Sequence, residues 1–151
     1  MSESNQSIID ELIVSYWMEI ETVQNYIANS INLVGVRAEE VKSSLAADVA
    51  EELSHAQQLA KRIHVMGGQV PGSKQLKATQ DAMQPTNDPK DVVSVIKGVI
   101  AAEEAAIAQY KKIIKIAGDT DPVTEDMCVT LLADEEEHRR EFLGFLAEYE
   151  G

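Results

Sequence analysis

The stretch LLADEEEH, residues 131–138, decides how the whole chain is interpreted. It contains the pattern E-x-x-H at Glu135 and His138, so a carboxylate and an imidazole stand three residues apart. On an α-helix such residues lie on one face, and both side chains can bind one metal ion. One E-x-x-H arises often by chance, so the interpretation needs support from the rest of the chain.

A second E-x-x-H supplies that support at Glu52 and His55. Each pattern also has a glutamate at nearly the same distance before it: Glu19 precedes Glu52 by 33 residues, and Glu103 precedes Glu135 by 32. Both leading glutamates begin the sequence E-x-x-x-[V/I]-x-x-Y, which has helical spacing. The chain therefore reads as two copies of one helical hairpin.

Turn signals lie midway along each hairpin, at Gly35 and within residues 118–122. A central turn places the two glutamates of a hairpin at equal height, about 24 Å from the turn at 1.5 Å per residue. We predict an all-α four-helix bundle with helices over 7–34, 38–66, 89–117 and 122–149, after a loose tail at 1–6. Residues 67–88 would form a long crossover along the bundle, with a short helix around 73–83.

The bundle would bring four glutamates and two histidines into one core layer. Four ionised carboxylates would repel one another, and two divalent cations would cancel their charge while two neutral imidazoles add nitrogen ligands. Carboxylate and imidazole ligands suit iron, manganese or zinc, and the residues do not rank these metals. The predicted metal-binding and catalytic residues are Glu19, Glu52, His55, Glu103, Glu135 and His138.

The composition limits the partners. The 151 residues fit one domain, 1–151, and the net charge of −13 disfavours binding to nucleic acid and anionic membranes. Cys128 is the only cysteine, and the first ten residues lack the basic start of a signal peptide. We expect a cytoplasmic protein with no membrane segment.

The six predicted ligands and their spacing resemble the ferritin-like superfamily, and within it the bacterioferritin type of di-iron site. LLADEEEH resembles the family's last-helix signature, and the stripe from Glu19 to Tyr26 resembles its first-helix motif. The resemblance implies that Glu52 and Glu135 bridge two metals. Glu19 with His55 would complete one position, and Glu103 with His138 the other. It also implies parallel second and third helices and the oxidation of ferrous iron by dioxygen or hydrogen peroxide.

Three departures from the family pattern modify these expectations. Leu53 stands where bacterioferritins carry a haem-binding methionine, so no haem is expected. The chain ends 13 residues after His138, too soon for a fifth helix, which favours a dimer or a small Dps-like shell over a cage of twenty-four subunits. Ala106 replaces the additional glutamate of rubrerythrins.

The leading function is therefore a ferroxidase-type oxidoreductase with two iron ions per chain, used for iron storage or detoxification. Two alternatives stay open: an iron or manganese oxidase or catalase acting on a small molecule, and a non-catalytic bundle with zinc or no metal. Residual apolar side chains at Trp17, Ile20 and Ile27 suggest a second buried face, so we expect at least a homodimer.

Several nearby residues are assigned no role in metal binding. His64 lies off the face of His55 and is predicted at the surface. Tyr26 and Tyr110 are predicted to pack in the core with their hydroxyls on ligand carboxylates. Four acidic residues flanking the ligands are predicted to face solvent or a neighbouring subunit, with Glu104 able to pair with a lysine; they are Glu51, Glu104, Glu136 and Glu137.

Overall fold

The computed structural model describes residues 2–150 and shows four long helices. They are α1 (Glu3–Asn32), α2 (Glu39–Val65), α3 (Val92–Ala117) and α4 (Pro122–Glu150), with 3₁₀ turns at Val36–Ala38 and Ser73–Gln75. The predicted four-helix bundle is confirmed. Within the described residues, no helix combines the length and the apolar character that a bilayer span requires.

Two predicted helix starts are wrong, and local capping explains both. Residues 3–6 belong to α1 rather than to a loose tail, because the Ser2 hydroxyl accepts a hydrogen bond from the Asn5 amide at 3.2 Å. The third helix begins at Val92 rather than at Pro89, because Asp91 is the residue that caps it. The predicted helix at 73–83 is reduced to the single turn Ser73–Gln75.

The helix directions follow from two hydrogen bonds between α1 and α3. The Tyr26 hydroxyl donates to Glu103 at 2.5 Å, and the Tyr110 hydroxyl donates to Glu19 at 2.8 Å. The residue later in one helix thus meets the residue earlier in the other, so α1 and α3 are antiparallel. Since α1 and α2 form a hairpin, α2 and α3 run parallel, and the intervening crossover must return along the bundle.

The core consists of two apolar clusters on either side of the predicted ligand layer. One cluster contains Leu12, Leu59, Ile113 and Leu131. The other contains Leu45, Ile96, Val99 and Phe142. In each helix the glutamate that is a predicted ligand lies between a residue of one cluster and a residue of the other, so apolar side chains cover the polar layer above and below.

The crossover is fixed to α1 by buried polar groups. The carboxylate of Glu21 accepts hydrogen bonds from the backbone amides of Thr79 (3.0 Å) and Gln80 (2.7 Å). The Asn29 side chain donates to the Met83 carbonyl at 2.7 Å. Met83 has a positive φ of 65°, and its backbone lies directly on Gly98 of α3. These contacts give a segment with little regular structure a defined path.

Candidate metal centre

All six predicted ligands lie together in the middle of the bundle. Each is at most 4% exposed, and each of the four helices contributes a glutamate, while the histidines come from α2 and α4. The helical spacing within each E-x-x-H orients its two side chains to the same interior point, as the sequence predicted. Whether they bind metal or take part in catalysis stays a prediction.

The six side chains form two overlapping groups of potential ligands. Atoms of the first group lie within 4.8 Å of one another, and the same holds for the second. The first group is Glu19, Glu52, His55 and Glu135; the second is Glu52, Glu103, Glu135 and His138. Glu52 and Glu135 belong to both, so the geometry is that of two neighbouring cation positions sharing two carboxylates.

Both imidazole rings point Nδ1 into the centre. His55 Nδ1 lies 2.8 Å from Glu135 Oε1, and His138 Nδ1 lies 2.9 Å from Glu52 Oε1. Although these atoms are close, neither nitrogen has a hydrogen-bond partner. Each ring therefore presents the nitrogen that a metal ion would bind.

Two tyrosines hold the glutamates that belong to only one group. Tyr110 donates to Oε1 of Glu19, and Tyr26 donates to Oε1 of Glu103. In both glutamates Oε2 is buried without a partner. The predicted hydroxyl–carboxylate contacts are confirmed, and they leave one oxygen of each glutamate available to a cation.

Unpartnered buried atoms test whether these residues suit a metal. Buried polar atoms are normally hydrogen-bonded, and leaving one unpaired costs about 1–3 kcal/mol. Every predicted ligand contributes at least one such atom to the centre: Glu19 Oε2, Glu52 Oε1 and Oε2, His55 Nδ1, Glu103 Oε2, Glu135 Oε1 and His138 Nδ1. The donor set fits a pair of divalent cations, which would pair all of these atoms at once.

Burial and neighbouring carboxylates raise the pKa values of two of the glutamates. Burial raises the pKa of Glu52, and the charge of Glu19 raises it further. Burial also raises the pKa of Glu103 well above its usual range, with Glu135 adding to the effect. Cations placed between these carboxylates would oppose both shifts.

The histidine pKa values move up because carboxylates surround the rings. Burial lowers the pKa of His138, but Glu52 and Glu135 outweigh it and raise the pKa to about 10. Burial likewise opposes protonation of His55, yet its carboxylate neighbours raise its pKa well above the ordinary range. Protonation of the rings would therefore compete with metal binding at Nδ1.

The sequence analysis missed a set of carboxylates on the outer side of the histidines. Asp134 Oδ2 lies 2.9 Å from His55 Nε2, and Glu51 Oε2 lies 3.1 Å from His138 Nε2. Asp48 Oδ1 is 3.8 Å from His138 Nε2. Glu51 was predicted to face solvent or a subunit; it is 40% exposed, but its carboxylate contacts a histidine of another helix. Spacing within one helix gives no signal for such a contact.

The residues that were assigned no role in metal binding lie mostly where they were predicted. His64 is exposed, and Glu136 and Glu137 are exposed on α4. Glu104 is exposed as expected, but its partner is Arg139 at 3.2 Å rather than a lysine. Cys128 is a buried core residue, and burial raises the pKa of its thiol to about 12.

The fold and the site together define a four-helix bundle with a carboxylate–histidine centre. The family model of ferritin, described as a ferritin-like domain, matches residues 15–151. The chain therefore belongs to the ferritin-like family, and the predicted resemblance is confirmed.

Individual relatives fall among Dps proteins and bacterioferritins. A DNA protection during starvation protein of Pyrococcus furiosus is 25% identical over 141 residues, covering 91% of this chain and 75% of the relative. A ferritin-like diiron-carboxylate protein of Bacillus anthracis superposes with a TM-score of 0.85 at 20% identity, covering 97% of this chain and 99% of that one. A dodecameric thioferritin of Bacteroides fragilis, related to bacterioferritin, gives 0.78 at 24% identity, covering 96% and 87%.

Proposed function

We propose that this protein binds two ferrous ions at the six-residue centre and oxidises them with dioxygen or hydrogen peroxide. The observation that carries the proposal is the set of unpartnered buried atoms, to which all six residues contribute. Two cations would balance the charge of the four glutamates. Glu52 and Glu135 belong to both ligand groups, which supports a bridging role for them.

The proposed chemistry assigns a task to each part of the centre. Two ferrous ions supply the two electrons that reduce dioxygen to peroxide, or peroxide to water, with protons taken from solvent. Tyr26 and Tyr110 hold Glu103 and Glu19 in place by hydrogen bonds. The two apolar clusters exclude bulk water from the layer of the six polar residues. Rigid carboxylates stabilise the higher charge of the ferric product more strongly than that of the ferrous substrate, which favours oxidation.

Iron oxidation is tested by adding ferrous iron aerobically, and separately anaerobically with peroxide, to the metal-free protein. We expect oxidation well above the buffer rate and saturation at two ions per chain. Glu52→Ala and Glu135→Ala, which each remove a shared carboxylate, should abolish it. Oxidation no faster than in buffer alone would refute the ferroxidase proposal. If manganese were the main metal in the freshly purified protein, the alternative catalase or oxidase would be favoured.

Leu53 stands at the position of the family's haem ligand, so we also predict that the protein carries no haem.

We also propose that the chain forms a homo-oligomer. Ile27 is 48% and Ile31 72% exposed on α1, and Val34 is 46% exposed near its end, which leaves an apolar surface for a second copy. The relative from Bacteroides fragilis is a dodecamer. Light scattering at micromolar concentration should show a mass of at least a dimer, and a monomer would refute this. Iron storage would require a closed shell.

Two further proposals concern organisation and location. Because each ligand group draws residues from both hairpins, we propose that residues 1–151 form one domain that unfolds in a single cooperative transition. Two separate calorimetric transitions would contradict the single domain.

We also propose that the protein lies in the cytoplasm, where ferrous iron is available to it.

A further inference from the structure

The side chain of Ser15 on α1 is buried without a hydrogen-bond partner. It is 2% exposed, and its hydroxyl oxygen bonds to nothing in the protein. Among the residues that the structure describes, the other buried side-chain atoms without a partner belong to Asp48 and to the six predicted ligands. Buried hydroxyl groups are normally paired, so the unpaired hydroxyl of Ser15 indicates a site for a further molecule.

The acceptor that a serine within a helix commonly uses is already occupied. Such a hydroxyl often bonds to the backbone carbonyl four residues before it, which for Ser15 belongs to Glu11. This carbonyl accepts the Ser15 amide within α1, and the side-chain amide of Gln109 on α3 donates to it at 3.2 Å. Both lone pairs of the oxygen are thus engaged, and the Ser15 hydroxyl is left to bind another molecule.

Ser15 lies one helical turn from the candidate metal centre. It stands four residues before Glu19, so both side chains are on the buried face of α1. Glu19 Oε2 is likewise buried without a partner and lies 3.6 Å from His55 Nδ1. Because helical side chains lean towards the N-terminus of their helix, the Glu19 carboxylate leans towards the turn that carries Ser15. A molecule bound by the hydroxyl would therefore lie beside the cation position of Glu19 and His55.

The facing helix α3 places a methyl group opposite the hydroxyl. The bond from Gln109 to Glu11 fixes how α3 lies against α1. Because the two helices are antiparallel, the step from Glu11 to Ser15 corresponds to a step back of three or four residues from Gln109. That step leads to Ala106, which is 8% exposed and has no polar atom in its side chain.

The facing helix α2 has the same feature. Glu19 and Glu52 lie at one level of the bundle in antiparallel helices. Ser15, four residues before the first, therefore lies near Ala56, four residues after the second. Ala56 is 1% exposed. Alanine on both neighbouring helices offers no partner for the hydroxyl and takes up less space than any other side chain that has a Cβ.

We propose that Ser15, Ala56 and Ala106 form a subsite beside the metal centre in which the Ser15 hydroxyl binds hydrogen peroxide. A serine hydroxyl both donates and accepts hydrogen bonds, and each oxygen of hydrogen peroxide does the same. Dioxygen has no hydrogen to donate and is a weak acceptor, so the hydroxyl favours peroxide over dioxygen. This inference rests on the proposed function and selects between its two oxidants.

The subsite contributes binding and orientation to the proposed reaction. Two ferrous ions give one electron each to hydrogen peroxide, its O–O bond breaks, and two protons from solvent complete two molecules of water. Ser15 exchanges no electron in this step. Its hydroxyl holds the peroxide at the turn next to Glu19 and His55, which makes Ser15 a residue that determines specificity.

The kinetic test compares Ser15→Ala with the wild type in ferrous iron oxidation, anaerobically with hydrogen peroxide and separately with dioxygen. We expect the KM for hydrogen peroxide to rise about three- to tenfold, the effect of losing one hydrogen bond between neutral groups. The KM for dioxygen and the iron bound per chain should stay nearly unchanged. Ser54→Ala, the same change at an exposed position next to His55, is the matched control and should behave like the wild type. Equal changes for both oxidants, or no change for peroxide, would overturn the subsite.

A crystallographic measurement reads the subsite without any activity. Zn²⁺ replaces iron as a cation that does not reduce peroxide, and crystals of the Zn²⁺-loaded protein are soaked in hydrogen peroxide. We expect density for a two-oxygen molecule within hydrogen-bond distance of the Ser15 hydroxyl in the wild type, and none there in Ser15→Ala. Density for a water molecule alone in the soaked wild type would overturn peroxide binding.

Urea unfolding tests whether the hydroxyl has a structural role instead. An unpaired hydroxyl does not stabilise the fold, so the midpoint of urea unfolding of Ser15→Ala should be no lower than that of the wild type. A clearly lower midpoint would show that the hydroxyl has a partner within the protein, which would overturn the subsite.

The outcomes separate the subsite from the proposed function. A wild type that oxidises iron with dioxygen but not with peroxide would keep the ferroxidase and overturn the subsite. A wild type that oxidises iron with neither oxidant would refute the ferroxidase. Peroxide density at Ser15 in the soaked crystals would then keep the binding site, and its absence would overturn both.

Discussion

Glu103 and Glu104 are neighbours on α3 with opposite environments. Glu103 is 1% exposed and hydrogen-bonded to Tyr26, whereas Glu104 is 53% exposed and pairs with Arg139. The apolar neighbours of Glu103 at helical spacing were enough to predict this difference, since adjacent helical residues point about 100° apart.

The first prediction uses this pair of glutamates. In the proposed metal centre, Glu103→Ala removes a carboxylate that belongs to only one of the two groups of potential ligands, so we expect iron bound per chain to fall and initial oxidation to slow at least about tenfold. Glu104→Ala should leave both quantities nearly unchanged. Iron analysis and oxidation rates of the two variants provide the measurement. Loss of iron in Glu104→Ala alone would show that the assigned helix face is wrong.

The pH dependence of metal binding follows from the histidine pKa values. Without metal, the surrounding carboxylates raise the pKa of His138 to about 10 and raise the pKa of His55 as well, so protons compete with metal for both rings near neutral pH. A metal at Nδ1 displaces these protons, and affinity should therefore rise with pH, by about tenfold per unit for each proton released. Zn²⁺ titrations between pH 6 and 8, in several buffers, measure this. An affinity independent of pH would contradict it.

The sequence predicted which six side chains would meet in one core layer, but it did not predict the carboxylates around the two histidines. The six residues are spaced along their helices by intervals that bring them to one level of the bundle, so the pattern alone was enough to place them together. Whether they bind metal stays a prediction. The contacts of Glu51 and Asp134 depend on how α2 is rotated relative to α4. That rotation results from packing across the bundle, which periodicity within one helix does not encode.

At the scale of helices, the lengths were predictable and the exact ends were not. Apolar periodicity defines a helix over many turns, but a boundary depends on one capping hydrogen bond. Two candidates, Asp88 and Asp91, precede α3; Asp88 bonds to the Lys90 amide in a turn, and Asp91 bonds to the Ser94 amide in the helix. The choice depends on where the crossover docks, which involves residues far away in the sequence.

Two helical glycines give a matched prediction for that docking. In Gly98→Ala the new Cβ would lie 2.8 Å from the Met83 amide nitrogen, whereas in Gly144→Ala it would meet nothing within 4 Å. Alanine favours a helix by about 1 kcal/mol over glycine, so Gly144→Ala should stabilise the protein by roughly that amount. Gly98→Ala should destabilise it by about 1–3 kcal/mol, because the crossover backbone must move. Urea unfolding measures both, and equal effects would show that the crossover does not contact α3 as described.

At the scale of the whole molecule, charge is the dominant property. The chain has 26 acidic residues against 13 lysines and arginines. A net charge of −13 disfavours binding of this chain to the phosphate backbone of DNA.

We therefore expect no mobility shift when the assembled protein is mixed with duplex DNA, even at low salt, where electrostatic binding is strongest. A basic DNA-binding protein run beside it serves as the positive control. A shift that weakens as salt is added would show a local basic surface that the overall charge conceals.

The near-twofold symmetry of the two hairpins is broken beside one histidine. Asp48 lies four residues before Glu52, and its carboxylate is 3.8 Å from His138 Nε2; the equivalent position before Glu135 is Leu131. The ring of His55 has Asp134 and, at 3.9 Å, Glu51 beside Nε2, so both rings have two anionic neighbours, and Asp48 differs in having no acidic counterpart on α4. The two cation positions would therefore differ in the charge around them, although they derive from one repeated hairpin. Asp48→Leu gives this position the residue of the other hairpin and should make the two Zn²⁺ affinities more alike. A Zn²⁺ isotherm identical to that of the wild type would contradict this.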